Sequence, residues 1–349
     1  MEHAAHRRPL PSPQRRRLTQ GLIAVLGLPG LAGLPGQARA AGAATLQRRA
    51  GPLLGTRVEL VVAHPDVAQC RQALDLAWAE MARLEGLMSR YRADSQVSAL
   101  ARAAGRQAVP VSPELMAVLR QARQLAQSSQ GAFDISVGAY SDWGFDPGQE
   151  VIPRPEDIQR QRRLVNFRDI DLDEINMTAY LRRPGMRLDL GGIAKLPILA
   201  AGMACLRSQG LRDALVNGGG DVLASGQLEG RDWRVGVRDP LQPQRLIGVL
   251  GLSDAVLASS GDYERCFQRQ GRRYHHVLDP RSGWPSQGAH GVALLAREVA
   301  PLNGLGAAIM VAGRARAQQW LAQRGEVRGL LVDEQGLWQS PGLPWVARA

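Results

Sequence analysis

Apolar and polar positions alternate through residues 55–64, GTRVELVVAH, and the run is rich in valine, which predicts a first strand. From residue 66 to 91 the period changes. Leu74, Ala77, Met81, Leu84 and Leu87 recur at helical spacing, so a helix follows. Residues 113–128 predict a second helix, with Pro113 early, where its missing N–H is tolerated. GAFDISVGAYSDWGF, residues 131–145, has no period and reads as a loop dense in aromatic and small residues. Residues 150–168 are polar, proline-bearing and arginine-rich, as in a surface helix and its connection. Another helix is expected over 193–209, stopped by Gly210. Short strand-like runs come next: DALVNGGGDVLASG, WRVGVRDP, LIGVLGLS, AVLASSG, YHHVLDP and GVALLA. An apolar helix is expected over 301–312, and WLAQRGEVRGLLVDEQGLW closes the chain as a helix and hairpin. The mixture lacks a strict βαβ rhythm, so the expected class is α/β of the mixed α+β kind. No repeat or linker divides it, and residues 41–349 are expected to form a single domain.

Charge changes the picture only at the start of the chain. The 349 residues carry a formal +11, but six arginines (Arg7, Arg8, Arg15, Arg16, Arg17, Arg39) against Glu2 put +5 in the first forty, leaving +6 for the rest. That remainder suits an anionic small ligand or an acidic partner. Nucleic acid is not expected, because aromatics are sparse and not interleaved with the basic residues. Residues 1–40 read as an export signal. They hold an arginine cluster, the apolar stretch GLIAVLGLPGLAGLPG and the small-x-small site Ala38-Arg39-Ala40. Adjacent arginines before a mildly apolar core point to twin-arginine export, and so to the bacterial periplasm. The proline and glycine content argues against a spanning helix, which needs about 20 strongly apolar residues, so no transmembrane anchor is expected in the mature form. Cys70, Cys205 and Cys266 are odd in number and widely spaced, which indicates neither a zinc site nor a disulfide scaffold.

Two stretches carry chemistry. LDLGGIAK, residues 188–195, ends on Lys195, the only lysine in the sequence. Glycines before a helix let backbone N–H groups approach a phosphate, and a lysine nearby supplies a mobile charge for the same oxygens. A tight strand-to-helix turn explains the stretch equally well. GGIAK lacks the first glycine and the Ser/Thr of a Walker A loop, and VNGGGDV is not GxGxxG. The second stretch, residues 259–285, holds Asp262, Tyr263, His275, His276, Asp279 and Arg281 around turns. Adjacent strand residues face opposite sides, so only one of His275 and His276 can point into a given site.

Taken together, the pieces resemble one family, the ApbE-type FAD:protein FMN transferases, over residues 54–313. They keep the family's order: LGT, MSRYRADSQVSAL, GAFDISVG followed by WGF, LDLGGIAK, ALVNGGGDVLASG, WRVGVRDP, SSGDYERCF and RRYHHVLDPRSGWP. The resemblance implies a mixed α/β flavin transferase fold with an FAD site between lobes. It also implies Mg²⁺-assisted attack by a Thr or Ser of an acceptor protein on the FAD pyrophosphate, leaving FMN on the acceptor and releasing AMP. Acceptors in such a family are membrane-anchored electron-transfer subunits carrying a Thr/Ser flavinylation motif.

Carried over by position, Leu54, Tyr91, Ala132, Phe133, Asp134, Asp189, Lys195 and Val277 fall at FAD contacts. His276 and Lys195 fall at the reacting end, and the Gly192 carbonyl at the metal. The family's aspartate and threonine metal ligands correspond to Asn303 and Ala307, so the resemblance implies a weakened Mg²⁺ site, with Asp221 or Asp262 as substitute ligands. Ala200, the LPIL run after Lys195 and Ala101 are further departures. Three readings stand: an active transferase, a catalytically impaired FAD-binding carrier or maturation factor, and a relic that binds nothing. A carboxylate at 303 together with a hydroxyl at 307 is expected to raise the rate of an active transferase.

Overall fold

The computed structural model describes residues 44–347. The expected export signal lies outside them. The chain enters its main sheet through β1 (Thr45–Leu53) and β2 (Thr56–His64), whose two-residue turn places Leu54 at φ 57° and Gly55 at φ 69°. Its longest excursion follows: α1 (Val67–Met88), α2 (Gln96–Ala103), β3 (Val109–Pro110), α3 (Pro113–Ser128), a 3-10 turn (Ile135–Ala139), α4 (Pro155–Arg162), β4 (Ile170–Asp173), β5 (Thr178–Leu181) and α5 (Lys195–Ser208). The chain returns as β6 (Ala214–Gly218) and β7 (Asp221–Ser225) and leaves as β8 (Trp233–Arg238) and β9 (Leu246–Leu252). It returns as β10 (Ala255–Gly261), leaves as β11 (Cys266–Arg269) and β12 (Arg272–His275), and returns as β13 (Gly291–Ala296). A last excursion, α6 (Leu305–Ala312) and α7 (Arg314–Gln323), leads to β14 (Arg328–Asp333) and β15 (Gly336–Gln339), with β16 (Trp345–Ala347) beyond.

The main sheet has the order β1-β2-β6-β7-β10-β13-β14-β15. This is chain order, and each neighbouring pair is antiparallel. The sheet is therefore a meander, and the functional pieces are carried on the excursions between its strands. Three smaller sheets, β16-β9-β8, β3-β5-β4 and β11-β12, belong to those excursions.

Alternation along the strands divides the core in two. Val58, Leu60 and Val62 of β2 face the helices, while Val61 faces the other way, towards Trp233, Val235 and Leu250 of the small sheet. The same switch recurs at Val216 and Leu215, at Val256 and Leu257, and at Leu331 and Leu330. The helical side packs closely: a Cβ on Gly202 of α5 would lie 2.6 Å from the Met81 sulfur of α1. Trp233 is 1% exposed and satisfies its indole N–H on the Ser225 carbonyl at 3.1 Å.

Most strongly periodic stretches form the expected elements. The mixed class also stands, as antiparallel sheets with seven α-helices among the described residues. The differences have local causes. β1 was not expected, because TLQRRAGPL is an edge strand whose alternate residues face solvent. The segment read as a loop contains the 3-10 turn, nucleated by the Asp134 carboxylate accepting from the Ser136 N–H. α5 starts at Lys195 rather than at residue 193, because Ile193 and Ala194 both donate to the Leu190 carbonyl in a turn. α6 starts only after Gly304, at φ 75°. Cys70 is buried, and Cys205 and Cys266 are half-buried.

Candidate active site

The cleft is built around Asp189. Its backbone N–H donates to the Ile135 carbonyl at 2.7 Å, which ties the LDLGG turn to the 3-10 turn. The approach is close: a Cβ on Gly138 would lie 2.5 Å from the Leu188 carbonyl carbon. Asp189 accepts from Arg90 at 2.5 Å through one oxygen and from the Gly191 N–H at 2.8 Å through the other. Burial alone would raise its carboxyl pKa. The Arg90 guanidinium and the Gly191 N–H outweigh that and hold it below the usual range.

Lys195 is the first residue of α5, and the Ala194 before it offers no side-chain cap to the first-turn amides. Its ammonium lies 3.0 Å from Asp221, the first residue of β7 after the glycine turn. Burial opposes the charge, but Asp221 outweighs burial and lifts the pKa above the ordinary lysine value. The lysine is thus a fixed, protonated cation. Glu264 lies close enough to feel Lys195 and Arg238, yet burial raises its carboxyl above the usual range.

The two histidines point apart. His275 is buried, with Nε2 at 2.9 Å from the Ser286 carbonyl. His276 lies on the open cleft wall, its backbone N–H donating to the Arg265 carbonyl at 3.1 Å. Crowding by the surrounding protein, followed by the Arg265 charge, pushes its imidazole down to about 4. Arg265 also donates to the Tyr91 hydroxyl at 3.3 Å and to Asp146 at 3.0 Å, bridging the far side. The excursion carrying these residues is clasped at its base. There Asp262 meets His290 Nδ1 at 2.8 Å and Arg273 at 2.6 Å, and its N–H donates to the His290 carbonyl.

The remaining sequence-derived residues are placed as follows. Leu54 holds a left-handed conformation and donates its N–H to Glu85 at 2.8 Å. Such a backbone costs a branched residue free energy unless its surroundings fix it. Ala132, Phe133 and Asp134 are buried. Both Asp134 oxygens are spent internally, one on Ser136 and the other on the Phe167 N–H at 2.9 Å, so this carboxylate organises the turn from within. Val277 is half-buried, its carbonyl accepting from the Ser286 N–H. Gly192 lies against Ala307 and Phe133: a Cβ there would be 3.5 Å and 3.4 Å from them.

Asn303 is buried and donates through Nδ2 to Gln121 at 2.8 Å and to the Ile193 carbonyl at 2.9 Å. Its Oδ1 is buried without a hydrogen-bond partner. An orphaned carbonyl oxygen of this kind suits a cation or an incoming donor. Asp221 and Asp262, considered above as substitute metal ligands, are instead committed to ion pairs with Lys195 and Arg273. Arg90, Arg265, Glu264, Gln121 and Glu85 were not foreseen. Arg90 and Arg265 sit inside the motifs SRYR and DYERCF, which was the only sequence signal for them.

Arg90, Lys195 and Arg265, each facing a carboxylate, gather with a neutral imidazole beside an uncapped helix N-terminus, whose free amides suit an anionic group. Residues 54–331 match the ApbE family, and the chain belongs to it. It is 34% identical over 235 residues to an FAD:protein FMN transferase of Klebsiella pneumoniae (strain 342), covering 67% of this chain and 72% of that one. It is 31% identical over 303 residues to the protein of that description from Treponema pallidum (strain Nichols), covering 81% and 83%. Of a Rhodobacter capsulatus relative, 32% identical, it spans 56%. Among solved structures, an ApbE protein from Thermotoga maritima superposes with a TM-score of 0.78 at 28% identity, over 85% of this chain and 97% of that one. The flavin transferase ApbE from Vibrio cholerae does so with 0.73 at 25% identity over the same shares.

Proposed function

We propose that this chain is an FAD:protein FMN transferase, moving FMN from FAD to a Thr or Ser hydroxyl of an acceptor protein and releasing AMP. The observation that carries the reading is the convergence of Arg90, Asp189, Lys195, Arg265 and His276 on one cleft within an ApbE fold. The acceptor oxygen forms a bond to the FMN phosphorus, and the anhydride bond to AMP breaks. The hydroxyl proton passes to His276, whose lowered pKa keeps it neutral and able to accept. The bridging oxygen leaves with AMP as phosphate, its new charge met by the Lys195 ammonium. Asp189, held as a carboxylate, takes a flavin or ribose N–H or O–H group. Tyr91, Leu54 and the Ala132–Phe133 wall confine the flavin.

The residues present fit a Mg²⁺ that arrives with the pyrophosphate. Such an ion keeps several waters and takes substrate oxygens alongside few protein ligands. Among the described residues no three His, Cys, Asp or Glu side chains form a metal-holding group. Asn303 through its orphaned Oδ1 and Gly192 through its carbonyl would hold the ion, and Ala307 adds no oxygen. When bound, Mg²⁺ supplies charge neutralisation on the phosphates. This meagre donor set is also what favours the second reading, an FAD-binding carrier or maturation factor without turnover. In the same reading residues 41–349 act as one domain, exported by a twin-arginine signal to the periplasm, with a membrane-anchored electron-transfer protein as acceptor. No helix among the described residues is long and apolar enough to cross a membrane.

The deciding measurement is intact mass of an acceptor domain bearing a Thr/Ser flavinylation motif after incubation with signal-free protein, FAD and Mg²⁺. A gain of FMN less water, lost in EDTA, is expected. FAD binding with no gain would select the carrier. The pH profile gives a second expectation. Because His276 must be neutral to accept a proton and its pKa is lowered to about 4, kcat/KM for FAD should hold through pH 6 and fall only as pH drops towards 4. An acid limb that is unchanged in His276→Ala would remove His276 from the role of base.

A further inference from the structure

β11 and β12 pair only with each other, through a two-residue turn of Gln270 and Gly271 at φ 51° and 73°. The register sets Phe267 opposite Tyr274 and Arg269 opposite Arg272. Alternation places all four on one face, leaving Cys266, Gln268, Arg273 and His275 on the other. The second face turns inward: His275 is buried and Arg273 is spent on Asp262. The first face is different. Phe267 and Tyr274 stack at 5.3 Å, and the aromatic surface extends through Trp143, 6.0 Å from Tyr274, to Trp284, 5.5 Å from Trp143.

Arg269 lies over Phe267 at 5.7 Å, and Arg272 lies over Tyr274 at 5.3 Å and over Trp284 at 5.8 Å. Both arginines are exposed, and among the described residues neither forms a contact ion pair, unlike Arg265 and Arg273 of the same excursion, although Glu150 lies near enough to feel the Arg269 charge. His276 continues this face. The bond from its N–H to the Arg265 carbonyl adds one more rung beyond β12, and alternation sets His276 on the side of Tyr274 and Arg272.

We propose that this arginine-capped aromatic face is where the acceptor protein docks, and that the segment it receives is acidic. The inference rests on the transferase reading, which requires a macromolecule to bring its hydroxyl to His276. β12 runs up to His276, and the hairpin it forms with β11 presents two guanidinium groups, Arg269 and Arg272, on stiff aromatic supports. Aromatic and arginine side chains together are the residues that anchor protein interfaces. Unpaired cations at the rim favour an acidic partner and make the encounter salt-dependent. Lining both approaches to the reacting end with arginine also suits the anionic FAD, but the hairpin face lies outside the cluster assigned to the nucleotide.

The test uses the full mature protein and one acceptor domain in two versions, with glutamates or with glutamines flanking its modified threonine. Arg269→Glu with Arg272→Glu should raise KM for the glutamate version by at least about tenfold, with FAD affinity and kcat at saturating acceptor kept. The glutamine version should be far less affected. The milder Arg269→Gln with Arg272→Gln pair should fall between, and melting temperatures confirm that both variants fold. Raising salt should increase the wild-type KM and leave the reversed variant nearly flat. An unchanged KM in a wild type that transfers FMN overturns the docking surface and leaves the transferase intact. Salt-dependent binding to anionic lipid vesicles that the reversal abolishes, with KM unchanged, would assign the face to a membrane and overturn it likewise. No transfer by the wild type under any condition would overturn both.

Discussion

Lys195→Ala should lower FMN transfer by at least about a hundredfold, the usual cost of removing one group that meets developing charge in a phosphoryl or acyl transfer. The substitution also strands Asp221. That carboxylate is buried, and beside Lys195 it has the Ser259 N–H at 2.9 Å. Breaking a fully buried pair costs about 3–5 kcal/mol, and the partial exposure of the ammonium reduces this to about 1–3 kcal/mol. A lost rate could therefore reflect a damaged fold, and the pair of variants separates the two causes. Lys195→Ala combined with Asp221→Asn removes both charges and should recover most of the melting temperature while transfer stays lost. Restored transfer in the double variant would mean that the lysine serves only as a counterion to Asp221.

Asn303→Asp should destabilise the metal-free protein. Two acceptors, the Gln121 amide oxygen and the Ile193 carbonyl, face the Asn303 NH₂ group. Gln121 cannot simply turn round, because its own NH₂ is engaged by the Ala300 carbonyl at 3.1 Å. A carboxylate would meet oxygen on both sides, leaving buried acceptors unpaired at about 1–3 kcal/mol each. The new carboxyl would stay protonated more readily in the folded state than in the unfolded one. Stability lost at neutral pH should therefore return as pH falls towards the ordinary aspartate value of about 3.9. Thermal melting of the variant at pH 7 and pH 4, with and without Mg²⁺, checks this. A variant as stable as wild type in EDTA at pH 7 would show that the pocket accepts an anion as it stands. With the variant destabilised as expected, the gain from carboxylate and hydroxyl together requires a third change at Gln121.

The contrast between these two positions explains how much could be read from sequence. Lys195 was conspicuous because the chain uses arginine nearly everywhere else. For the same reason Arg90 and Arg265 were invisible: one more arginine carries no contrast, and only folding shows which of them faces Asp189 or Tyr91. Helices with a clean period, such as Pro113–Ser128, were legible to the residue. β1 was not, since its pairing comes from β2 rather than from any apolar pattern of its own. Asn303 could be matched to a metal position by spacing, but its partner Gln121 lies on another helix, and no local signal links the two. The pairing of Lys195 with Asp221 was equally hidden, because the glycine turn is brought to α5 only by the closing of the sheet.

The clasp at the base of the β11–β12 excursion has a consequence for how such proteins diversify. Gly261 and Gly291 are opposite one another in the β10–β13 ladder, and Asp262 and His290 fasten the next residues together. Both ends of the excursion thus sit on one rung of a sheet whose core is built by other residues. The tip of the hairpin can therefore be rewritten at Phe267, Arg269, Arg272 and Tyr274 without renegotiating the strands beneath, while Arg265 and His276 at its inner end stay with the nucleotide. Partner choice in this architecture is separable from the chemistry within a single excursion.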